Sequence, residues 1–233
     1  SAYGSVAEVF IPQTQLTKEK TALKPIEGTN YELGIKGELM DGRFNTSLAL
    51  FRYIQKNRAV SDLTTDIEGP EACNGWYCST ASGKVRSQGL EAEIAGELFD
   101  GMQISSGYTY NTTKFLEDSD LKGKRFATGT PMHMFRLWGD YTLQGDFNKV
   151  SVGAGVNAQS STVSFDRSFD LPGFAIWGSR VAYQATEEVN LAVNLNNMFD
   201  KRYIIPAFAQ INSNSYYGDP RNVMFSVTYK PQF

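Results

Sequence analysis

The feature that most limits what this chain can fold into is a pattern of period two that restarts about ten times along its length. In VSVGAGVNAQ, Val150, Val152, Ala154, Val156 and Ala158 alternate with Ser151, Gly153, Gly155, Asn157 and Gln159. Successive side chains of a strand point to opposite faces, so the segment reads as a strand with one apolar and one polar side. YELGIKGEL sets Tyr31, Leu33, Ile35 and Leu39 against Glu32, Lys36 and Glu38, and GLEAEIAGEL sets Leu90, Ala92, Ile94 and Leu98 against Glu91, Glu93 and Glu97. MQISSGYTY places Met102, Ile104, Tyr108 and Tyr110 opposite Gln103, Ser105 and Thr109. FNTSLALF, FRLWGDYTL, AIWGSRVAY, VNLAVNLNNMFDKRY, RNVMFSVTYKPQF and a partial strand from Val6 to Phe10 complete the set. No helix of convincing length and caps, no low-complexity segment and no linker interrupts it.

The connections carry the next constraint. Those near 40–42, 99–101, 144–148 and 185–188 are short; those near 11–28, 60–84, 116–130, 161–171 and 206–220 are long. Short and long alternate along the whole chain, so all the long loops fall at one end of the sheet. A soluble sandwich has no reason to do this. An outer-membrane barrel does, with short periplasmic turns and longer extracellular loops.

Composition agrees. No run approaches the roughly 18–20 apolar residues of a transmembrane helix, which excludes a helical membrane protein but not a barrel, whose strands are half apolar. The 12 Tyr, 15 Phe and 21 Gly among 233 residues favour strands and aromatic belts. A net charge of −3 does not suggest a basic nucleic-acid surface. The opening SAYGSVAEVF carries no signal peptide and resembles mid-strand sequence, so the chain is expected to be a fragment or a processed product. Alternation alone fits a sandwich as well as a barrel. In a barrel, Glu32, Lys36, Arg86, Glu91 and Glu93 face a wet lumen. On a lipid face a Lys or Arg at mid-depth would cost about 2–4 kcal/mol.

VNLAVNLNNMFDKRY shows where a strand leaves the membrane. From Val189 to Phe199 it would rise roughly 26 Å at about 45° tilt, close to the height of the apolar band. Phe199 is then expected in the outer aromatic girdle, Asp200, Lys201 and Arg202 at headgroup level, and Tyr203 beyond them. Asn197 would share the lipid-facing parity, which a bulge near 196–197 is expected to repair. In the last strand, counting back in twos from Phe233 gives Pro231, Tyr229, Val227, Phe225 and Val223. An aromatic terminal residue on such a strand resembles the signal read by outer-membrane assembly machinery; an ordinary edge strand ending in Phe is the other reading.

Cys73 and Cys78 in EACNGWYCST are the only cysteines, and His133 is the only histidine. A metal site would need more ligands. A disulfide Cys73–Cys78 in the longest loop is the better reading, two free thiols the other, and it implies an oxidising compartment.

GTNYELGIKGEL followed by DGRFNTSLALF, SQGLEAEIAGEL followed by DGMQISSGYTYN, TPMHMFRLWGDYTL, VNLNNMFDKRY and YGDPRNVMFSVTY, in that order, resemble the C-terminal half of the barrel of TonB-dependent siderophore receptors of the ferric-hydroxamate, ferric-coprogen and ferric-pyoverdine types. The resemblance implies an all-β, antiparallel transmembrane β-barrel. The strands here, about ten, would form the C-terminal part of a 22-stranded barrel, with residues 1–233 a portion of that barrel and the plug domain absent. It also implies a Gram-negative outer-membrane receptor that takes up Fe(III) as a ferric siderophore. Such a receptor has no intrinsic cofactor and makes or breaks no bond. It is energised by TonB acting on the plug, and it is surrounded by membrane lipid and lipopolysaccharide.

Candidate ligand contacts are Trp76 and Tyr77 beside the cysteines, Tyr216 and Tyr217 in the last long loop, and Arg125 in LKGKRF. Aromatic rings can pack on a siderophore and cations can meet its anionic groups. The plainer role for each is covering loop backbone or joining the girdle. His133 is expected to be structural. Lys122, Lys124, Lys201 and Arg202 are placed to meet lipopolysaccharide phosphates, or simply water. Two rivals stand beside this reading: a free-standing ten-stranded barrel enzyme, which His133 would have to serve without a partner motif, and a soluble β-sandwich binding module.

Overall fold

The computed structural model describes residues 1–65, 68, 70, 72–206 and 215–231. Ten strands make one antiparallel sheet: β1 (Ala2–Ile11), β2 (Ile26–Leu39), β3 (Phe44–Ser61), β4 (Ser79–Phe99), β5 (Met102–Glu117), β6 (His133–Thr142), β7 (Val150–Gln159), β10 (Phe174–Gln184), β11 (Val189–Asn196) and β14 (Asn222–Tyr229). Within the long connections lie two small hairpins, β8 (Thr162–Val163) with β9 (Asp170–Leu171) and β12 (Ile204–Ile205) with β13 (Tyr216–Tyr217). Each long strand pairs with the next in the chain, an unbroken meander. The connections 40–43, 100–101, 143–149 and 185–188 are short, and 12–25, 62–78, 118–132, 160–173 and 197–221 are long. The expected alternation therefore holds from end to end.

Among the described residues β1 pairs only with β2 and β14 only with β11, so both edges are open. That excludes the free-standing closed ten-stranded barrel. It also excludes the sandwich, because among the described residues no second sheet lies against the apolar face.

The register fixes the two faces. Residues directly opposite one another in an antiparallel pair share a face. Leu33↔Leu50, Leu50↔Leu90, Leu90↔Tyr110 and Tyr110↔His133 run across β2 to β6 on one of them. Leu137↔Val156, Val156↔Trp177, Val181↔Val193 and Val193↔Phe225 continue it to β14. This outer face is bare: Leu33 is 64% exposed, Phe225 78% and Val227 71%. A soluble monomer rarely leaves apolar patches of more than a few hundred Å² uncovered. Each such side chain gains about 1.5–3 kcal/mol on leaving water, so the face requires an apolar medium. Rings gather at both of its ends. Phe99 meets Tyr141 at 5.7 Å beside the short turns, and Trp177 meets Phe199 at 6.5 Å beside the long loops.

The opposite face is polar, with Glu32, Lys36, Glu91, Glu93, Asn111, Arg136, Asn157 and Arg180 in register across it. Asp140 approaches Arg180 at 4.0 Å there, and Tyr3 donates its hydroxyl to Glu32 at 2.5 Å. Trp138 lies flat on this wall because Gly153 and Gly155 have no side chain; a Cβ on Gly155 would meet its ring at 2.5 Å.

Three expectations need correction. Arg86 pairs with Ile54 and Lys114, which places it on the outer face, not in the lumen. It sits four residues beyond Leu90 toward the long loops, where that face has already turned polar. The strands β3 and β4 run further than the apolar alternation, so the cysteine-bearing connection shrinks to 62–78, and 197–221 is longer. The strand β11 ends at Asn196, and its register with β14 is continuous to Asn196↔Asn222, with no bulge. Instead Asn197 takes a left-handed φ of 46° and turns the chain out of the sheet. Phe233 lies outside the described residues.

Candidate functional site

All the candidate residues lie on the long loops, but they fall in three groups. The first is built on a two-residue turn. Asn74 and Gly75 both have positive φ, 54° and 73°, and Cys73 and Trp76 exchange backbone hydrogen bonds of 2.8 and 3.2 Å. Asn-Gly is the pairing that such a turn favours. The turn brings Cys73 and Cys78 to a Cα separation of 4.9 Å, and the disulfide closes it. Cys78 is fully buried. Its amide donates to the Thr65 hydroxyl at 3.0 Å, and the Lys20 ammonium reaches the Ala72 carbonyl at 2.5 Å. The hairpin is thus pinned through Lys20 to the neighbouring loop 12–25. Trp76, 63% exposed, and Tyr77 stand edge to face on it at 6.0 Å. At the root of the same loop, hydrogen bonds from the Thr64 hydroxyl and amide hold the Asp62 carboxyl below its ordinary range.

The second group is the hairpin of β12 and β13, where Tyr217 pairs with Ile204 and Tyr216 with Ile205. Both tyrosines are exposed. Four strands of the sheet, β5, β6, β7 and β10, separate this connection from the first group's. The two aromatic pairs therefore sit at different points of one rim.

Arg125 belongs to the third group, which contains residues that sequence reasoning missed. Its guanidinium donates to the Thr130 carbonyl, and burial pulls its pKa below the usual value, with the Asp170 charge opposing. Beside it the Phe126 ring stands at right angles to Phe115, 5.2 Å away. The Arg58 guanidinium lies 4.7 Å above Phe126, and that of Arg167 lies 5.8 Å from Phe115. Arg167 also donates to the Arg125 carbonyl at 3.3 Å. Such cation–π contacts contribute about 0.5–2 kcal/mol each. Phe115 pairs with Val85 and so shares the polar wall's parity. The irregular register between Gln55, Arg58 and Val60, with Asn57 at φ 60°, turns Arg58 to the same side. Three arginines and two phenylalanines thus converge at the inner rim. No spacing in the sequence marks this set. The only local cue was the Asn57 that allows the left-handed kink.

His133 sits on the outer face instead. Its Nδ1 shares a 2.8 Å hydrogen bond with the Tyr108 hydroxyl, and its ring lies 5.0 Å from that of Tyr110. Lys122 and Lys124 are exposed in the loop beyond β5, and Lys201 and Arg202 in the turn beyond β11.

Comparison with known proteins places this architecture. Residues 1–198 match the family described as TonB dependent receptor-like, beta-barrel. The ferric-pyoverdine M114 receptor PbuA of Pseudomonas sp. (strain M114) is 43% identical over 235 residues, covering 97% of this chain and 27% of that protein. The ferripyoverdine receptor of Pseudomonas aeruginosa is 35% identical over 242 residues, covering 98% and 28%. The crystal structure of the latter's outer-membrane receptor bound to ferripyoverdine aligns with a TM-score of 0.82 at 34% identity, over 98% of this chain and 30% of that one. The chain thus spans less than a third of the length of these relatives. An apolar face with no protein partner, a polar face opposite and every long loop at one end are what a Gram-negative outer-membrane barrel needs, and the chain belongs to the TonB-dependent receptor β-barrel family.

Proposed function

We propose that residues 1–233 form the C-terminal portion of the wall of a receptor that imports a ferric siderophore. The plug and the remaining strands would come from the rest of the receptor. The observation that carries the reading is the convergence of arginine and phenylalanine side chains on the rim of a polar wall, in a chain 43% identical to a ferric-pyoverdine receptor. Iron is cargo, delivered as a siderophore that already fills its coordination sphere, so the wall has only to recognise the organic shell. Trp76, Tyr77, Tyr216 and Tyr217 offer ring faces to a flat chromophore or peptide backbone. Arg125, with Arg58 and Arg167, offers positive charge to anionic groups. No bond is made or broken, and energy arrives from TonB through the plug. Outside the wall the partners are membrane lipid and lipopolysaccharide.

The test is uptake of radiolabelled iron by the full-length receptor in an iron-starved host lacking its own siderophore receptors. Ferric pyoverdines, hydroxamates and coprogen are supplied one at a time. Uptake of a pyoverdine-type complex that disappears when TonB is deleted is the expected result. Uptake of none of them, or uptake indifferent to TonB, would overturn the reading. In the same assay Trp76→Ala combined with Tyr217→Ala should raise the half-saturating concentration about tenfold, as loss of aromatic anchors does.

A further inference from the structure

The arginine–phenylalanine cluster at the inner rim carries more charge than its surroundings neutralise. Arg58 comes from the upper end of β3, Arg125 from the connection 118–132 and Arg167 from the connection 160–173. Among the described residues none of the three takes part in an ion pair; the two ion pairs are Lys84–Glu117 and Asp140–Arg180. The Asp170 charge acts on Arg125 from beyond ion-pair distance. Like charges gathered in a partly buried place repel one another, most strongly where water is excluded. The Arg167 Nε is buried with no hydrogen-bond partner among the described residues. An unmet donor on a charged group is costly, so this edge of Arg167 is open to an acceptor.

Arg167 is held in place. The turn 164–169 is knit around Ser164, which is fully buried: its hydroxyl accepts from the amides of Ser168 and Phe169 at 3.1 and 3.2 Å and donates to the Asp166 carboxylate at 2.7 Å. At the apex Arg167 has φ 62°, a left-handed value that a long side chain keeps only where its surroundings impose it. The Val163 amide donates to the Thr128 carbonyl at 3.1 Å and the Arg167 Nη2 donates to the Arg125 carbonyl, which ties the two connections together beside the cluster. Cation–π contact with Phe126 and Phe115 holds Arg58 and Arg167 without using their N–H donors.

We propose that Arg167, braced by Arg125 and Arg58, binds a free carboxylate on the organic shell of the ferric siderophore, outside the iron-binding groups, and so selects the acid-bearing form of the cargo over its amide. The planar Nε–Nη2 edge of Arg167 takes the two carboxylate oxygens side by side, while the second Nη2 hydrogen stays on the Arg125 carbonyl. Arg125 and Arg58 add positive charge around the same point. A primary amide has nearly the same shape, but it lacks the charge and turns an N–H donor toward a guanidinium that has only donors. Selection therefore comes from a clash of donors as well as from lost attraction. The inference rests on the proposed uptake of a ferric siderophore and goes beyond it: it assigns the group that is read and the residue that reads it.

The experiment uses the full-length receptor purified in detergent. Equilibrium binding is measured with a pyoverdine-type siderophore that carries radiolabelled iron and a free carboxylic acid, and with the same compound after that acid is converted to the primary amide. Wild-type receptor should bind the acid form about tenfold more tightly, the factor that one charge-assisted hydrogen bond is worth. The preference should shrink as salt rises. Arg167→Gln should bind both forms alike, at the wild-type affinity for the amide. Arg167→Lys, which keeps the charge without the fork, should keep part of the preference. Equal binding of the two forms by wild-type receptor overturns the inference without any variant. So does an Arg167→Gln receptor weakened on both forms by the same factor, because the arginine is then paired inside the receptor, with a carboxylate of the plug. Where Arg167→Gln fails to assemble, judged by heat-modifiable mobility, Arg167→Lys decides: an undiminished preference there means that the fork reads nothing. Uptake in cells separates the two claims. A receptor that imports both forms alike refutes this inference and leaves transport standing, whereas one that neither binds nor imports either form refutes the transport reading itself.

Discussion

Asn197 shows how much a single residue can settle. It is 4% exposed, at the point where β11 leaves the sheet. Its side-chain amide donates to the carbonyls of Lys201 and Asp219 at 2.9 and 3.0 Å, and its Oδ1 accepts from the Lys201 amide at 2.8 Å. One side chain thus ties the exit turn to the chain entering β14. Asparagine also tolerates the left-handed φ that the turn requires. Asn197→Ala removes three partly buried hydrogen bonds and keeps the unfavourable φ, a loss of about 2–4 kcal/mol. Hydrogen exchange in the full receptor should show the Lys201 amide deprotected by at least tenfold, with β7 and β10 unaffected. Unchanged protection at Lys201 would mean that the turn is held by something other than this clamp.

At the scale of the strand, the sequence was most legible where burial demands are periodic. Val150–Gln159 matches its strand residue for residue, because one side must meet an apolar medium and the other a polar one. Legibility failed where that demand stops. Above the apolar band β3 and β4 continue to Ser61 and from Ser79 as paired but no longer amphipathic strands, and there the inward or outward sense of Arg86 and Arg58 cannot be counted from the pattern. A bulge at 55–60 shifts the parity without leaving a trace in hydropathy. The arginine–phenylalanine cluster was invisible for the same reason, since it is assembled from β3, β5 and two loops. The rim aromatics were readable as exposed rings near a disulfide, but not their separation by four strands. The glycine bed under Trp138 can be tested at this scale. In Gly155→Val the new side chain would run into the Trp138 ring and the Leu137 carbonyl, so the indole must lift from the wall. Tryptophan emission should shift to the red as the indole lifts into water. Assembly into the outer membrane should fall severalfold. A spectrum and yield equal to wild type would show that the wall has room the glycines do not reveal.

For the whole molecule, the decisive quantity is uncovered surface. Val6, Leu33, Leu50, Val181, Val193, Val223 and Phe225 face outward with no protein against them, and β1 and β14 present unpaired backbone at the two edges. Open edges template further strand pairing. Expressed alone and without detergent, the 233 residues should therefore aggregate. A monodisperse soluble monomer in light scattering would contradict the assignment of the apolar face to lipid. The same surface explains why a conventional core is nearly missing among the described residues: the buried apolar side chains there are few, and several, among them Leu23, Cys73 and Cys78, belong to the loops.

The meander order also has a consequence for how such a wall is built. Every strand pairs with the strand next to it in the meander, so each pairing step closes only one connection, the longest of them 197–221. Loop-closure entropy grows only slowly with length, and contacts close in sequence form fast. Growth can then proceed as a front, each finished strand offering a template to the next. The exception is the pair of open edges, β1 and β14, for which this meander holds no neighbouring strand among the described residues. Addition along the front is local and quick. Sealing the ring is the one step that requires a long-range search, and it should set the pace of maturation.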